Sequence, residues 1–238
     1  MVRIGAWIGL GWQTVTGSDQ FWSFVRFTLI FLAGITVLSF SGIGAIILMG
    51  PALAGVYALI LHFMRNGRLE TEPFKLGFQS DTFVQALLAN LVIAAFGFAA
   101  YMLVYTPLFI IMMVVAFASG PGASEPDFFF VALPIIIILL LGAMLVIHTL
   151  YLFPFLLIVD RKLPFWQALE TSRKRVQQNF GGFLFFSLAL GGLNLLGLLA
   201  CLVGVLVTAP VTYCAIAAAY RELWPEDPIP AAEILPTG

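Results

Sequence analysis

Charged residues are scarce in this sequence. Only 10% of its 238 residues are Asp, Glu, Lys or Arg and 61% are hydrophobic, whereas soluble domains carry about 25% charged residues. A mean hydropathy of +1.05 over the whole length cannot be hidden in one core of this size, so the surface itself has to be apolar. The composition therefore excludes an ordinary soluble domain and predicts an integral membrane protein.

Cysteine and catalytic motifs are equally sparse. The two cysteines, Cys201 and Cys214, lie about 20 Å apart along one predicted helix, too far for an intrachain disulfide. No CxxC or Cys/His spacing suggests a metal, and neither a phosphate loop, GxSxG nor HExxH occurs. We predict no enzyme activity, no metal and no cofactor, and the lack of a basic tract with interleaved aromatics predicts no nucleic-acid partner.

The first 21 residues precede the long apolar segments. Glycines and Gln13 interrupt their apolar positions, so they lack the continuous apolar region of a signal peptide. Trp7, Trp12 and Trp22 occur near the first span, and Trp is enriched at membrane–water boundaries. We expect residues 1–21 to form an interfacial helix or an ordered segment on the membrane surface.

Six long apolar segments follow. A helix needs about 20 apolar residues to cross a hydrocarbon core about 30 Å thick. The predicted spans are residues 22–40, 44–64, 82–117, 128–159, 181–197 and 202–221. They predict an all-α membrane protein whose membrane domain, 22–224, consists of three helical hairpins with interfacial amphipathic helices on the cytoplasmic side. The proline-rich, acidic tail, 225–238, is expected to be disordered.

Two of these spans are longer than one crossing requires. Residues 82–117 contain no charge, yet are too few for two crossings and a turn, so they predict one long helix, kinked or tilted at Pro107. Residues 128–159 predict one span kinked at Pro134 and Pro154. Near the last hairpin, Gly197 and Gly204 predict a tight turn.

The basic residues indicate how the chain is threaded. All eleven lie in four segments, 1–26, 65–81, 160–180 and 221–238. The alternate turns, near 41–44, 118–127 and 198–201, contain none. Basic residues are concentrated on the cytoplasmic side of membrane proteins, so we predict a multi-pass protein of a bacterial inner membrane with both termini in the cytoplasm.

The most polar interior stretch is Asp160 to Asn179, DRKLPFWQALETSRKRVQQN, with five of the eleven basic residues. Its apolar positions form one helical stripe, made up of Phe165, Leu169, Ser172, Val176 and Phe180. The spacing predicts an amphipathic helix at about 164–179 in the inner interface. Either it is a topological anchor, or its bases form a specific site for anionic lipid or a cytosolic partner. The candidate contacts are Arg161, Lys162, Arg173, Lys174 and Arg175.

Few polar residues lie deep within the spans. His148 is about 18 Å from Asp160 along a straight helix, hence near mid-membrane, and Asn90 and Asn194 occur in other spans. Such residues either form hydrogen bonds between helices or mark a substrate or proton pathway. We keep His148, Asn90 and Asn194 as a candidate intramembrane polar site.

Several stretches resemble a group of bacterial multi-helix membrane proteins of unknown function, related to the membrane domain fused to some glycerophosphodiester phosphodiesterases. The resemblance covers most of residues 20–224. Two of the stretches are GPALAGVYALILHFMRNGRLE and LLGLLACLVGVLVTAPVTYCAIAAAYREL. The most specific matches are Asp160, Arg161, Phe165, Trp166, Ala168, Leu169, Ser172, Val176 and Asn179. The resemblance implies a helical membrane protein but no chemistry, because the group has none established and the sequence contains no phosphodiesterase domain.

Two functions remain open at this stage. The first is a non-catalytic module that organises membrane lipids, or protein partners on the cytoplasmic face, through the basic stretch. The second is a small-molecule transporter or channel, suggested by the proline-kinked spans and by His148. The second requires a polar cavity lined by His148, Asn90 or Asn194. The oligomeric state is not readable from the sequence.

Overall fold

A computed structural model describes residues 2–40, 42–119, 128–200 and 204–225. In these ranges the chain forms nine α-helices and one 3-10 helix, with no strand. The α-helices are α1 (Ile4–Thr16), α2 (Phe21–Phe40), α3 (Ile43–Asn66), α4 (Ser80–Ser119), α5 (Phe128–Leu150), α6 (Pro154–Arg161), α7 (Phe165–Gln177), α8 (Phe180–Leu199) and α9 (Val205–Leu223). The 3-10 helix is Glu72–Phe78. The predicted all-α class is confirmed.

Five stretches are long and apolar enough to cross a membrane. They are Phe21–Phe40, Ile46–Asn66, Ser80–Val115, Leu133–Arg161 and Phe180–Leu199. The sixth predicted span coincides with α9, which is not among the five. Two features reduce the apolar length of α9: it ends in the charged residues Arg221 and Glu222, and its predicted start at 202 lies outside the described residues.

α3 forms the packed centre of the molecule. Within the apolar 18-residue segment of α3, 67% of the residues are buried, whereas 6% are buried in the corresponding segment of α4. Small residues allow this packing: a Cβ added at Gly55 would lie 2.5 Å from the Phe74 carbonyl oxygen of the 3-10 helix, and one at Gly50 would meet the Ala86 carbonyl of α4. The helix also continues through Pro51.

The two long predicted spans have different outcomes. α4 is one continuous 40-residue helix that contains Pro107, as predicted. The predicted single span over 128–159, kinked at Pro154, coincides with the candidate span Leu133–Arg161, within which the chain leaves helical geometry at 151–153 and so forms two helices, α5 and α6. The reason is Pro154, which has no N–H for the preceding turn and instead occupies the first turn of α6.

α1 packs on α9. A Cβ added at Gly11 would lie 2.7 Å from the Val211 carbonyl oxygen, so only glycine permits this helix crossing. Trp7 is 2% exposed, and its indole Nε1 donates to Glu222 Oε2 at 2.6 Å. Trp12 and Trp22 are exposed. Trp7 therefore belongs to the core, which differs from the boundary position suggested by its residue type.

Other predictions fall partly outside the described residues. Gly197 and Gly204 are in close contact, because a Cβ added to Gly204 would lie 2.5 Å from the Gly197 carbonyl oxygen. Cys201, most of the loop 118–127 and the tail beyond residue 225 lie outside the described ranges. Cys214 is a buried free thiol on α9.

Candidate functional site at the charged end

Charged side chains gather where α3, α6 and α9 end and α7 begins. We call this region the charged end and define it by Arg65, residues 160–162, Arg221 and Glu222 together with α7. The carboxylate of Asp160, whose side chain is 12% exposed, is at its centre. Asp160 Oδ1 accepts from the Arg65 guanidinium at 2.7 Å, and Oδ2 accepts from the Tyr220 hydroxyl at 2.7 Å. These contacts join α3, α6 and α9.

Three arginines of the charged end bind main-chain carbonyls. Arg221 donates to the Met64 carbonyl at 3.3 Å, and Arg175 donates to the Leu223 carbonyl at 3.4 Å. Arg161 donates to the Pro225 carbonyl at 3.2 Å. The last carbonyls of a helix lack intrahelical partners and carry partial negative charge. The arginines therefore satisfy the ends of α3 and α9 and connect them to α6 and α7.

α7 contains a surface ion cluster. Arg173 donates to both carboxylate oxygens of Glu170 at 2.9 Å, and Lys174 Nζ lies 3.3 Å from Glu170 Oε1. The hydrogen bonds from Arg173, followed by those from Lys174, hold the pKa of Glu170 below its usual value. The same bonds raise the pKa of Arg173. Glu170 thus remains ionised and partly neutralises the two bases.

The residues that carry the resemblance have local structural partners. Ser172 is fully buried; its hydroxyl donates to the Leu150 carbonyl at 2.9 Å and accepts from the Phe153 N–H at 3.3 Å. Ser172 thereby satisfies the backbone at the break between α5 and α6. Asn179 caps α8, because its side chain accepts from the Gly182 N–H at 3.3 Å. These roles are structural.

α7 begins immediately after Pro164, close to the predicted helix start. Leu169, Ser172 and Val176 of the predicted apolar stripe are buried, and Phe165 and Phe180 are half-buried. Phe180 belongs to the next helix, α8. The stripe thus packs against the protein itself.

The five basic residues predicted to contact lipid or a partner differ in what their side chains bind within the protein. Arg161 and Arg175 bind carbonyls, and Arg173 and Lys174 pair with Glu170. Lys162 is exposed and makes no hydrogen bond or ion pair within the described part of the chain. It is also the one non-glycine residue there with a positive φ, 53°.

The charged end opens into several cavities: the largest, about 520 Å³, lies beside α1 and α9, and three others lie beside α6 and α7. The inner cavity, about 220 Å³, lies between α3, the 3-10 helix and α6 and is lined by His62, Arg65, Asp160 and Lys162 among others. Lys162 also lines a second cavity of about 290 Å³ beside Asp81, Gln85 and Pro164. The third, about 200 Å³, is lined by Phe96, Tyr151, Trp166, Leu169, Glu170 and Arg173. All three combine apolar walls with charged groups.

The predicted intramembrane polar residues do not meet. The Asn90 amide donates to the Ile46 carbonyl of α3 at 2.9 Å, and the Asn194 amide donates to Thr212 Oγ1 of α9 at 2.8 Å. His148 is on the exposed face of α5 and makes no hydrogen bond with the described residues. None of the three lines the cavities of the charged end. Each of the two asparagines thus forms a hydrogen bond to a neighbouring helix, which is the first of the two roles considered for them.

Within the described residues, no three His, Cys, Asp or Glu side chains are close enough together to hold a metal ion.

Sequence reasoning missed the partners of Asp160. Arg65 and Tyr220 are 95 and 60 positions away from it, and nothing in their local sequence marks them as its ligands. The charged end offers exposed cations next to apolar surface.

The all-helical fold and its five long apolar stretches are those of a helical membrane protein. The chain belongs to the family described as "Protein of unknown function (DUF975)", whose model matches residues 20–223. Comparisons with curated proteins and with solved structures found no match.

Proposed function

We propose that this protein is a non-catalytic membrane module whose charged end binds anionic phospholipid headgroups at the inner face of a bacterial cytoplasmic membrane. In this proposal α9 is the sixth crossing, α7 is an amphipathic helix in the interface, and both termini are cytoplasmic. The complete separation of basic residues from the alternate turns supports this orientation. The kinship with the membrane domain of glycerophosphodiester phosphodiesterases remains part of the proposal.

The observation that carries the proposal is the exposure of bases beside aromatic surface at the charged end. The Lys174 side chain is 70% exposed, and Trp166 on the same helix is 59% exposed. Tryptophan favours the headgroup region, and a base near an anionic membrane surface contributes about 1 kcal/mol. Such a helix would hold the charged end at the headgroups and gather anionic lipid around it.

The test uses the full chain in vesicles containing spin-labelled phosphatidylglycerol or phosphatidylcholine. The measured quantity is the ratio of the two lipids' association constants with the protein. We expect a preference for phosphatidylglycerol that falls roughly thirtyfold in the double variant Arg173→Gln/Lys174→Gln, at about 1 kcal/mol per base.

Glu170→Gln is the matched control. It frees the same two bases from their internal partner, so the preference for phosphatidylglycerol should rise. High salt should weaken the preference in the wild type, because exposed charges are screened. A wild-type protein without any preference would contradict the proposal.

A further inference from the structure

The lining of the inner cavity contains two permanent cations, Arg65 and Lys162, and one acid. His62 also lines the cavity, and the acid is Asp160. Both carboxylate oxygens of Asp160 are already occupied, by Arg65 and by Tyr220. Glu70 lies at the rim, with Oε2 3.4 Å from His62 Nε2. The charge that remains without an internal partner is the ammonium group of Lys162.

The backbone at Lys162 suits glycine better than lysine. Lys162 follows α6 in a left-handed conformation with φ 53° and ψ 30°, and the N–H of the next residue, Leu163, donates to the Leu157 carbonyl at 3.4 Å. Side chains disfavour this region, and helices commonly place glycine here. A residue kept in a disfavoured conformation is a reason to look for a function. Here the side chain brings an unpartnered cation to two cavities.

The size and walls of the cavity restrict the ligand. About 220 Å³ is smaller than the roughly 300 to 1,000 Å³ of pockets for drug-sized ligands, so a compact anion fits better than a large solute. Leu61, Leu76 and Val159 give the cavity an apolar side. A phosphate group attached to a glycerolipid combines the two properties, with the phosphate on Lys162 and the glycerol and first acyl carbons on the apolar side.

We propose that the inner cavity is a phosphate-binding site that takes the headgroup of an anionic phospholipid, with Lys162 as its main contact. This inference rests on the proposed function, because it assigns one saturable site within the general preference for anionic lipid. Arg65 and His62 line the same cavity.

The experiment uses the purified full chain in nanodiscs of phosphatidylcholine alone, titrated with short-chain phosphatidic acid or with inorganic phosphate. The readouts are the thermal unfolding midpoint and the number of bound lipids by native mass spectrometry. We expect one bound phosphatidic acid and a higher midpoint for the wild type. Lys162→Gly should weaken binding about tenfold, the loss of one hydrogen bond to a charged group, without lowering the unliganded midpoint.

The variants separate charge from fold. Lys162→Arg should retain binding, because it keeps the positive charge at the cavity. Lys174→Gln should also retain binding, because it removes a positive charge from α7, outside the lining of the inner cavity. Binding by Lys162→Gly equal to the wild type would overturn the site. Equal stabilisation by inorganic phosphate and phosphatidic acid would overturn the lipid as its source. If the wild type prefers phosphatidylglycerol in vesicles but shows no saturable binding in nanodiscs, only this inference is refuted. If the wild type shows no preference in vesicles, the proposed function is refuted.

Discussion

The apolar 18-residue segments of α3 and α4 have similar mean hydropathies, 2.0 and 2.2. However, 67% of the residues are buried in the α3 segment and only 6% in the α4 segment. Both therefore suit a hydrocarbon environment, but only α3 is surrounded by protein. The difference lies in the small residues of α3, including Gly50, Ala54 and Gly55, which admit neighbouring backbones. α4 instead presents large side chains such as Leu103, 77% exposed. Hydropathy identifies a membrane helix, whereas small residues indicate which of its faces meets protein.

The largest loss of stability is expected at Asp160, which connects α3 with α6 and α9 at the charged end. Asp160→Ala would leave Arg65 without its carboxylate and the buried Tyr220 hydroxyl without an acceptor. Losing a hydrogen bond between charged groups costs about 1.5–3 kcal/mol and leaving a buried hydroxyl without a partner about 1–3 kcal/mol, so we expect a total loss of about 3–5 kcal/mol in reversible unfolding in detergent. Asp81→Asn, at the exposed start of α4, is the control and should change little. A near-neutral Asp160→Ala would show that α3 does not depend on this contact.

The next effect compares a leucine from each helix. Leu59 of α3 is 1% exposed and Leu103 of α4 is 77% exposed. Leu59→Ala should cost about 2–5 kcal/mol because it leaves a cavity, and Leu103→Ala about 0.5 kcal/mol or less. The same unfolding assay measures both. Equal losses would mean that a protein surface covers α4 in the membrane.

Glycines provide a finer comparison. An added Cβ would lie 2.5 Å from the Phe74 carbonyl at Gly55, but 3.7 Å from Met144 at Gly97 of α4. Gly55→Ala should cost about 1–3 kcal/mol through overpacking, whereas Gly97→Ala should be tolerated. Gly34→Ala on α2, where nothing lies within 4 Å, is a second control. A tolerated Gly55→Ala would refute the close approach of α3 and the 3-10 helix.

The smallest effect concerns the ion cluster on α7. Because the pKa of Glu170 is lowered in the folded state, its pairing contributes stability at neutral pH that is lost as the pH falls through the acidic range. The effect should be slight, since the pair is solvent-exposed. Unfolding measured between neutral and acidic pH should show it, and Glu170→Gln should remove that part of the pH dependence.

Several features followed from local sequence. The length of α4, the start of α7 after Pro164 and the approach of Gly197 to Gly204 depend on neighbouring residues, and the structure shows each of them. Pairings across the chain did not follow. The buried position of Trp7 depends on Glu222, 215 positions away, and residue type alone indicated a boundary position. The kink predicted at Pro154 is next to the break at 151–153, but the residue that satisfies the backbone there, Ser172 of a later helix, did not follow from local sequence.

The central claim is that the charged end faces the anionic inner leaflet and the far end of α4 faces the outside. In a chain carrying Cys201→Ser and Cys214→Ala, single cysteines at exposed Gln177 of α7 and exposed Ala118 of α4 test it directly with a membrane-impermeant maleimide. We predict labelling of Ala118→Cys in intact spheroplasts and of Gln177→Cys only in inverted vesicles. Labelling of Gln177→Cys in intact spheroplasts would contradict the orientation and, with it, the proposed role.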